Sequence, residues 1–456
     1  MKKIFNPLAR VIGVLCVLVA LPHPMQATTL RELYQMADSG STVIRVAEQE
    51  LSAANQSVKQ AKNALLPSLK ADISGSYIGD AYLMSRGFST SGTSTVIVPG
   101  FGPQSVQNGR QETPHWGNNF SFEASQVIYA GGALWTGIQM AKTGERIAKL
   151  QVEKSRQEVR FMLTSYYLDL VKLQNQIKVI DTHIDLTKQV LEMMRARQKA
   201  GTMLTSDVTR YELQLKQLEL AKIKLQDAKD ILLHQLQTTL HTDAIIEPDT
   251  TEIENEYNRL EQSLTEAYWQ QEAKKGNLSI RQADEAGTMA AQQVKMTRSA
   301  SIPKIALVVK DELWGPYTTD LIPVNSNVNA WFIGLGIHYD FDALWHNHRA
   351  IRKAKTQQSI AKSKAELARE AVDNQTHAAY TDFLTSFTEV DTQEKQQELA
   401  NETYRLVSRR YENDLALLTD LLDASSSKLT ADMQLVNARV GLIYNYYQLK
   451  YITNSL

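Results

Sequence analysis

Two long stretches without proline constrain this chain more than any other feature. Leu134 to Ala200 contains no proline, and neither does Leu344 to Asn413. Proline inside a helix removes a backbone hydrogen bond and clashes with the preceding turn, so its absence permits an unbroken helix. At 1.5 Å per residue, each stretch would form a helix about 100 Å long. Although 456 residues suffice for two or three ordinary domains, we expect a protein built on long helices instead.

A shorter helix is predicted after each long one, over Thr205–Leu240 and Thr419–Tyr451. Apolar residues recur there at spacings of three and four, which is the pattern of a coiled-coil seam. One short helix cannot cover a long one. The segments Thr28–Leu66 and Glu261–Ile302 have the lengths needed to complete the pairs, and the first ends at a proline.

The chain reads as two copies of one unit. Leu66–Ala71 resembles Ile302–Leu307, and Thr205–Val208 resembles Leu418–Leu421. Two further matches fall in the same order, one at the start of each copy and one just before each long helix. We therefore predict a first repeat over residues 28–240, a linker over 241–260 that crosses the middle of the helices, and a second repeat over 261–456.

Four segments change from a helical period to a period of two, which indicates β-strands. They are Leu69–Tyr77, Asn119–Tyr129, Ile305–Trp314 and Trp331–Phe341, and Lys310 and Asp311 blur the alternation in the third. A loop rich in Gly, Ser, Thr and Pro, roughly Asp80 to Pro114, separates the first two. Each strand is about ten residues long, the length that a tilted membrane-spanning strand needs.

Four strands cannot close a membrane barrel, since the smallest barrels use about eight. An open sheet in lipid would leave unpaired backbone groups at both edges. If these strands span a membrane, several chains must share one barrel. The alternative is a soluble sheet that caps a coiled-coil protein.

The first 27 residues are predicted to be a secretory signal peptide. Lys2, Lys3 and Arg10 precede an apolar run, Val11–Leu21, that is too short to span a bilayer, and cleavage after Ala27 fits the small residues there. An uncleaved anchor is the alternative. The one cysteine, Cys16, lies inside the apolar run, so the mature chain would have no disulfide and no thiol nucleophile.

Charge and motifs exclude several functions. The chain has 49 basic and 50 acidic residues, so nothing favours a nucleic-acid partner. His346 and His348 are two apart on a predicted helix and point in different directions, which argues against a metal site. No catalytic triad, phosphate loop or zinc pattern stands out, and we expect neither an enzyme nor a cofactor.

Together, the signal peptide, the duplicated order of helix, hairpin and helix, and the proline before the first strand resemble the TolC family of outer-membrane efflux proteins. The most specific motifs are Tyr129–Gly132 at the strand-to-helix junction, Ala200–Val208 at the first helical tip and Tyr411–Ala424 at the second. The resemblance implies a mainly α fold and a homotrimer. The trimer would have a twelve-stranded barrel in outer-membrane lipid and a helical tunnel across the periplasm.

The resemblance also implies a function and partners. The chain would be the passive exit duct of a tripartite efflux or type I secretion system, docked through a periplasmic adaptor protein to an inner-membrane pump or ABC exporter. The competing hypothesis is a periplasmic coiled-coil adaptor or interaction protein with a small β domain. The cargo is not specified by the sequence.

Two positions depart from the family pattern. Asp414 stands where the family usually has glycine, so the second turn is expected to close differently. Ala416 occupies a position where some members carry an arginine that helps to latch the closed tip, and that latch is not expected here.

Three groups of residues are predicted to carry the function. Asp420 and Asp423 would form two rings of carboxylates at the narrow end of a trimer, as the matching family positions do, while the simpler interpretation of Asp420 is a helix cap. Residues at the tips would contact the adaptor or neighbouring tips: Gly201, Thr202, Met203, Leu204, Asp207, Asp414, Leu415, Leu417 and Leu418. Of these, Asp207 is read mainly as a favourable residue near a helix N-terminus.

The third group is a lipid-facing set on the strands: Tyr77, Phe120, Phe122, Trp331, Ile333, Leu335, Ile337, Tyr339 and Phe341. Some of its aromatic members would belong to the interfacial belt of a barrel. The alternative for this set is the core of a soluble sheet.

Overall fold

The computed structural model describes residues 28–79, 81–83, 94–98, 102–106, 109–111, 114–244, 246–260, 265–316 and 325–456. The predicted signal peptide, residues 1–27 with Cys16, lies outside them. Two compact units are present. Unit 1 combines the described residues up to Val43 with Arg156–Gln270 and Thr376–Leu456, and unit 2 combines Ile44–Ser155 with Gln271–Gln375.

Helices flank two groups of strands along the described chain. In chain order, the elements are α1 (Leu30–Gly40), α2 (Thr42–Asn63), β1 (Ser68–Tyr77), β2 (Ala81–Leu83), β3 (Ser94–Val98), β4 (Gly102–Val106), β5 (Gly109–Gln111), β6 (Trp116–Ala130), α3 (Ala133–Lys199), α4 (Thr205–Leu240), α5 (Thr250–Arg259), α6 (Glu266–Gly276), α7 (Leu278–Ser299), β7 (Lys304–Gly315), β8 (Val328–His338), α8 (Ala343–Glu412) and α9 (Leu418–Ile452).

The long helices are confirmed. α3 has 67 residues and α8 has 70, and each contributes its first part to unit 2 and its last part to unit 1. In unit 2, α7 joins both of them through Arg146–Glu285 and Arg369–Asp284 ion pairs. In unit 1, α4 and α9 accompany the last parts. The predicted division of each long helix between two shorter ones agrees with this arrangement.

The two other predicted helices are each broken once. The helix expected over Thr28–Leu66 stops at Gly40 and resumes at Thr42, because Ser41 is extended. A Cβ at Gly40 would lie 2.5 Å from the carbonyl oxygen of Leu240, so α1 ends where it packs on the end of α4. The helix expected over Glu261–Ile302 is also divided, after Gly276; its residues 261–264 lie outside the described chain.

The second break is stabilised as a new helix start. The side-chain oxygen of Asn277 accepts hydrogen bonds from the backbone of Ser279 at 2.9 Å and Ile280 at 3.4 Å, which caps α7. Both repeats therefore interrupt the corresponding helix after a glycine. Neither break involves proline, which explains why the proline pattern did not predict them.

The four predicted strands form one antiparallel sheet in unit 2, with the order β1-β6-β7-β8. β6 pairs with β7, so the hairpins of the two repeats become continuous. The strand predicted over Trp331–Phe341 is shifted, since β8 runs from Val328 to His338. A β-bulge lies in β6 between Val127 and Tyr129.

The segment predicted as a loop, Asp80 to Pro114, also contains regular structure. β2 pairs with β5 and β3 pairs with β4, both antiparallel. The remaining residues of this segment up to 113 lie outside the described chain. Its Gly/Ser/Thr-rich composition concealed the short strands.

The linker after α4 carries a short helix that the sequence did not indicate. Asp249 caps α5 by accepting from the Thr251 backbone at 2.9 Å. The preceding residues pair with the start of the described chain, where the Thr28 amide donates to the Glu247 carbonyl at 2.6 Å. The Tyr167 hydroxyl of α3 accepts from the Asp249 amide at 2.9 Å, which fixes α5 within unit 1.

Candidate functional site

Two helical hairpins of unit 1 end in the same kind of turn. Gly201 follows α3 with φ of 77°, and Asp414 follows α8 with φ of 62°. In each, the next amide returns to a carbonyl five residues back: Thr202 to Arg197 at 3.0 Å and Leu415 to Arg410 at 2.7 Å. This bond and a left-handed residue define a Schellman-type helix end. Asp414 thus makes the turn that glycine makes at the first tip, and the expectation that the second turn would close differently was wrong.

Arg197 ties the two turns together. Its Nη1 donates to Asp414 Oδ1 at 2.8 Å, and its Nη2 donates to the backbone carbonyl of Glu412. The backbone carbonyl of Arg197 also accepts from both the amide and the hydroxyl of Thr202. One arginine therefore connects the end of α3, the first turn and the second turn. We refer to the Arg197–Asp414 pair as the tip bridge.

An apolar cluster lies directly behind the turns. Leu191 and Met194 of α3 pack there against side chains of α4, α8 and α9. The other buried members are Val208, Tyr211, Tyr411, Leu418 and Leu421. Apolar contact in this cluster therefore holds the two hairpins together, in addition to the tip bridge.

Two residues predicted to be exposed at the tips belong to this cluster instead. Leu418 is only 8% exposed, and Met203 is partly buried against the cluster. Leu418 opens the three-four seam of α9, since Leu421 and Ser425 follow it on the same buried side. The prediction of a free Leu418 side chain for partner contact was therefore wrong, and Met203 is at most partly available.

The other apolar tip residues are open to solvent. Leu204 is 68% exposed, Leu415 68% and Leu417 69%. Gly201 and Thr202 are exposed beside them. The two turns thus present three leucines on the surface, and of the residues next to them in sequence only Leu418 is buried.

Two of the three carboxylates of α9, those of Asp420 and Asp423, are exposed on one side of its first two turns. Asp420 Oδ2 accepts a hydrogen bond from the Leu417 amide at 3.1 Å, so it caps the helix, and Asp423 lies three residues further on. Asp207 is partly buried in the first turn of α4. The predicted capping role of Asp420 corresponds to an observed bond. The ring hypothesis concerns a trimer and stays a prediction.

Three tyrosine hydroxyls near the tip are held in the neutral form. Burial raises the pKa of Tyr211, and burial together with the charge of Glu412 raises the pKa of Tyr404. The pKa of Tyr411 is raised by burial and by the carboxylate of Asp207. Burial in the apolar cluster therefore disfavours the charged tyrosinate form further.

Behind the tip, a polar group crosses three helices. His183 of α3 is buried, and its Nε2 lies 2.9 Å from Asp432 Oδ2 of α9. Gln397 of α8 donates to the other carboxylate oxygen at 2.7 Å, and Lys428 Nζ lies 3.6 Å away. Burial alone would raise the pKa of Asp432, but these hydrogen bonds and the lysine charge outweigh it and lower the pKa. No sequence pattern marks this group, because its members are far apart along the chain.

The sheet of unit 2 has two different faces. By register, most of the predicted lipid-facing residues lie on one face: Tyr77, Phe120, Phe122, Trp331, Ile333, Leu335 and Ile337. All seven are exposed, and Ile333 in mid-strand is 63% exposed. Ile73, Val309 and Leu307 extend the same apolar face. Asp311, between Phe122 and Trp331, is its only charged residue in the four described strands.

The register explains the two charged residues that interrupt the predicted alternation in β7, Lys310 and Asp311. Lys310 lies on the opposite, polar face beside Glu123, so only Asp311 breaks the alternation.

Tyr339 and Phe341 do not belong to this face as strand residues. β8 ends at His338, whose Nε2 lies 3.1 Å from Asp340 Oδ1, and the chain turns there into α8. Tyr339 and Phe341 contact each other edge-on, with ring centroids 5.0 Å apart, at that turn. Their predicted placement on the strand was wrong because β8 ends three residues earlier than the alternation suggests.

Membrane-spanning helices and metal clusters are both absent from the described chain. None of its helices combines the length and apolar character that crossing a bilayer requires. None of its His, Cys, Asp and Glu side chains gather in a group of three or more that could hold a metal ion.

Comparison with known sequences gives matches over nearly the whole chain. The sequence model of the family described as outer membrane efflux protein matches residues 33–240 and 269–455. Outer membrane protein TolC of Salmonella enteritidis is 17% identical over 436 residues, which cover 94% of this chain and 83% of that protein.

Solved structures share the fold. The outer membrane protein VceC from Vibrio cholerae superimposes with a TM-score of 0.73 at 15% identity, covering 93% of this chain and 96% of VceC. The CmeC outer membrane channel of Campylobacter jejuni gives a TM-score of 0.71 at 16% identity, covering 93% of this chain and 85% of CmeC. The predicted fold class, mainly α with a small β part, is confirmed.

Proposed function

Because this chain belongs to the outer membrane efflux protein family, we propose that three copies form the passive exit duct of a tripartite efflux or type I secretion system. Each copy contributes four strands to a shared barrel in the outer membrane and its helices to a periplasmic tunnel. An inner-membrane pump or ABC exporter supplies the energy, and a periplasmic adaptor protein joins it to the duct. The duct itself performs no reaction and holds no cofactor.

The observation that carries this proposal is the two-faced sheet. One face is apolar and exposed over the length of four strands, and β1 and β8 are its edge strands in the described chain. Unpaired backbone groups at such edges are not tolerated in lipid, so the sheet must continue into other copies. Three copies supply twelve strands, an even number within the range of membrane barrels.

Apolar residues on the helices of unit 1 support association with further copies. On α4, Leu213 and Leu220 are exposed seven residues apart, and on α8, Leu399 and Leu406 repeat this spacing. A heptad-spaced apolar stripe that is open to solvent is the usual mark of a helix that packs against another chain. A second and third copy of this chain are the occupants that a shared barrel requires.

The tips are the proposed contact for the adaptor. Leu204, Leu415 and Leu417 are exposed together with Thr202 and Gly201 at the ends of the two hairpins. Exposed apolar side chains at a helix-hairpin end suit an apolar partner surface. Leu418 is excluded from this contact because it is buried in its own chain.

Asp420 and Asp423 are the proposed selectivity residues at the narrow end. In a trimer their exposed carboxylates form two rings of three, and rings of acidic residues favour cations. The cap that Asp420 provides for α9 is compatible with this role, because its second carboxylate oxygen is not needed for the cap.

The experiment that tests the function is deletion of the gene followed by two measurements, drug susceptibility and the profile of secreted proteins. Loss of a duct should raise susceptibility or remove a secreted protein, and complementation with the full chain should reverse it. If the deletion leaves both measurements unchanged and the protein is found only in the soluble periplasmic fraction, the duct hypothesis is wrong. The hypothesis of a periplasmic coiled-coil interaction protein would then be favoured.

A further inference from the structure

The polar face of the sheet carries its charges in one place. Lys70 of β1, Glu123 of β6 and Lys310 of β7 lie side by side in register across three strands. Two residues further along, Asp72 of β1 and Glu312 of β7 occupy the next row. Lys310 Nζ donates to Glu312 Oε2 at 2.7 Å. We call these five residues the charge band.

The rest of this face is nearly free of charge. Serine, asparagine, glycine and small apolar residues occupy most of its other positions. Lys304 and His338, both at the helix end of the sheet, are the only other residues of the polar face in the described strands that can carry a charge. General solvation of the face would not require the charges to be gathered in two adjacent rows.

We propose that the charge band selects among ions and charged cargo by the fixed charge that it places on the barrel wall. This inference rests on the proposed function, because the interior of a membrane barrel is its polar face. Three carboxylates and two ammonium groups give each chain a net charge of −1 in the band. The band therefore favours cations and acts apart from the tip carboxylates, on another part of the chain.

The charges reach the whole opening. Twelve strands spaced about 4.8 Å apart and tilted by about 40° enclose a barrel with a radius of about 12 Å. Lysine and glutamate side chains extend roughly 5 Å inward from the wall. Since the Debye length is about 8 Å at physiological ionic strength, every point in the cross-section lies within about one Debye length of the band.

A purely structural role is the competing explanation. Opposite charges directly across an antiparallel pair stabilise the sheet, and Glu123 has a lysine on each side. Such a role would make the variants less stable, but acidic and basic substitutions would not shift ion preference in opposite directions. The sign of the shift therefore separates the two explanations.

The test uses the full chain with Asp420→Asn and Asp423→Asn, so that the tip carboxylates do not set the selectivity. Reversal potentials in a KCl gradient are measured in planar bilayers for two double variants, Glu123→Gln with Glu312→Gln, and Lys70→Gln with Lys310→Gln. The first should shift the cation/anion permeability ratio toward anions and the second toward cations, each by about twofold. Both shifts should fade in 1 M salt, where the Debye length is about 3 Å.

Asp311→Asn is the matched control, because it removes the same type of charge from the adjacent residue on the opposite face. It should leave the permeability ratio unchanged. Shifts of one sign in both double variants, no shift in either, or an equal shift in Asp311→Asn would overturn the inference. If the chain with Asp420→Asn and Asp423→Asn forms no pore, the proposed function is contradicted. That result is distinguishable from a pore whose ion preference does not respond to the charge band.

A second measurement does not depend on conductance. The chain has one cysteine, Cys16, in the predicted signal peptide. A cysteine introduced elsewhere is therefore the one thiol of the mature chain that a maleimide can label. In protein reconstituted into lipid vesicles, Glu123→Cys should react with a membrane-impermeant maleimide, and Ile333→Cys should not. Reaction at Ile333→Cys but not at Glu123→Cys would place the charge band in lipid and overturn the inference.

Discussion

At the scale of single residues, Arg197 joins the turns at the ends of the two helical hairpins of unit 1. Its guanidinium reaches Asp414 and the carbonyl of Glu412, so it links two turns that lie more than 200 residues apart in sequence. Asp414 can adopt the left-handed conformation because aspartate tolerates it better than most residues. Asp414 thus both forms the second turn and accepts the hydrogen bond of Arg197 in the tip bridge.

Replacing Arg197 with Ala should loosen the two tips relative to each other. We expect a higher single-channel conductance, with a loss of stability of only about 0.5 kcal/mol because the bridge is partly exposed. Asp414→Gly should have the same effect on conductance, since glycine keeps the turn but removes the carboxylate.

Arg195→Ala is the control for this prediction. Arg195 pairs with Glu212 at 2.8 Å within the first hairpin, so its loss does not separate the two tips. Equal conductance in Arg197→Ala and Arg195→Ala would show that the tip bridge does not restrain the tips.

Replacing both Asp420 and Asp423 with Asn should lower the cation preference of the channel. Asparagine keeps an oxygen that can cap α9, so helix stability should change little. The matched variant with Glu at both positions keeps the charge and should keep the cation preference. Single-channel recordings in a salt gradient measure this, and unaltered selectivity in the Asn variant would defeat the ring hypothesis.

Asp432 gives a prediction for pH dependence. Because its folded pKa is lowered, its contribution to stability is present above the unfolded value of 3.8 and is lost as the pH falls below it, through the folded pKa. Asp432→Asn should therefore lower the melting temperature at pH 7 and differ less from the wild type below pH 4. The cost at pH 7 should be about 1.5 kcal/mol, the size expected for losing a hydrogen bond to a charged group.

Thermal unfolding across pH 3 to 8 measures this difference. Asp423→Asn, which removes an exposed carboxylate from the same helix, is the control and should follow the wild type. A constant gap between Asp432→Asn and the wild type across the range would contradict the assigned role of the pair.

At the scale of elements, the sequence patterns predicted what periodicity and proline can determine. The long helices and the four strands could be predicted because the spacing of apolar residues along the chain reflects the local backbone conformation. The breaks at Ser41 and Asn277 arise from contacts and caps that carry no periodic signal. Leu418 and Met203 were misplaced for a related reason, because which tip residues are buried depends on how the two hairpins meet.

The tip bridge and the His183–Asp432 pair were beyond sequence reasoning. Their partners are 217 and 249 residues apart, and nothing in either local pattern marks them. The one sequence feature that drew attention to the tip bridge was Asp414 at a position where glycine was expected. The polar face of the sheet was partly foreseeable, since alternation placed Lys70 and Asp72 together, whereas the pairing with Glu123 and Lys310 required the strand order.

The break between α1 and α2 leads to a prediction with opposite signs at two glycines. Gly40→Ala should destabilise the protein by about 1–3 kcal/mol, because the added Cβ would meet the Leu240 backbone oxygen at 2.5 Å. Gly287→Ala in α7 meets nothing within 4 Å and should stabilise by about 0.5–1 kcal/mol. Melting temperatures of both variants test this, and a tolerated Gly40→Ala would show that α1 and α4 are not in close contact.

At the scale of the whole molecule, family membership makes this an outer-membrane protein whose helices extend into the periplasm. The fold it shares with VceC and CmeC is retained at only 15% and 16% identity. Such low identity is compatible with a common fold because the constraints are patterns, namely the helical period and the alternation of the strands, rather than particular side chains.

The apolar face of the sheet gives a prediction for assembly. Ile333→Lys places a charge in the middle of the proposed lipid-facing surface and should cost about 2–4 kcal/mol per chain, so that less protein reaches the outer membrane. Phe332→Lys changes the adjacent residue on the polar face and should be tolerated. Quantitative outer-membrane fractionation compares them, and equal yields would show that this face does not contact lipid.

The central claim is that the duct belongs to three chains rather than one. Native mass spectrometry of the full-length protein, extracted from outer membranes in mild detergent, measures this directly. We predict a species of three chains, dissociating to single chains only on denaturation. A single chain in the extracted membrane fraction would contradict the claim, because four strands with two open edges do not suffice for lipid.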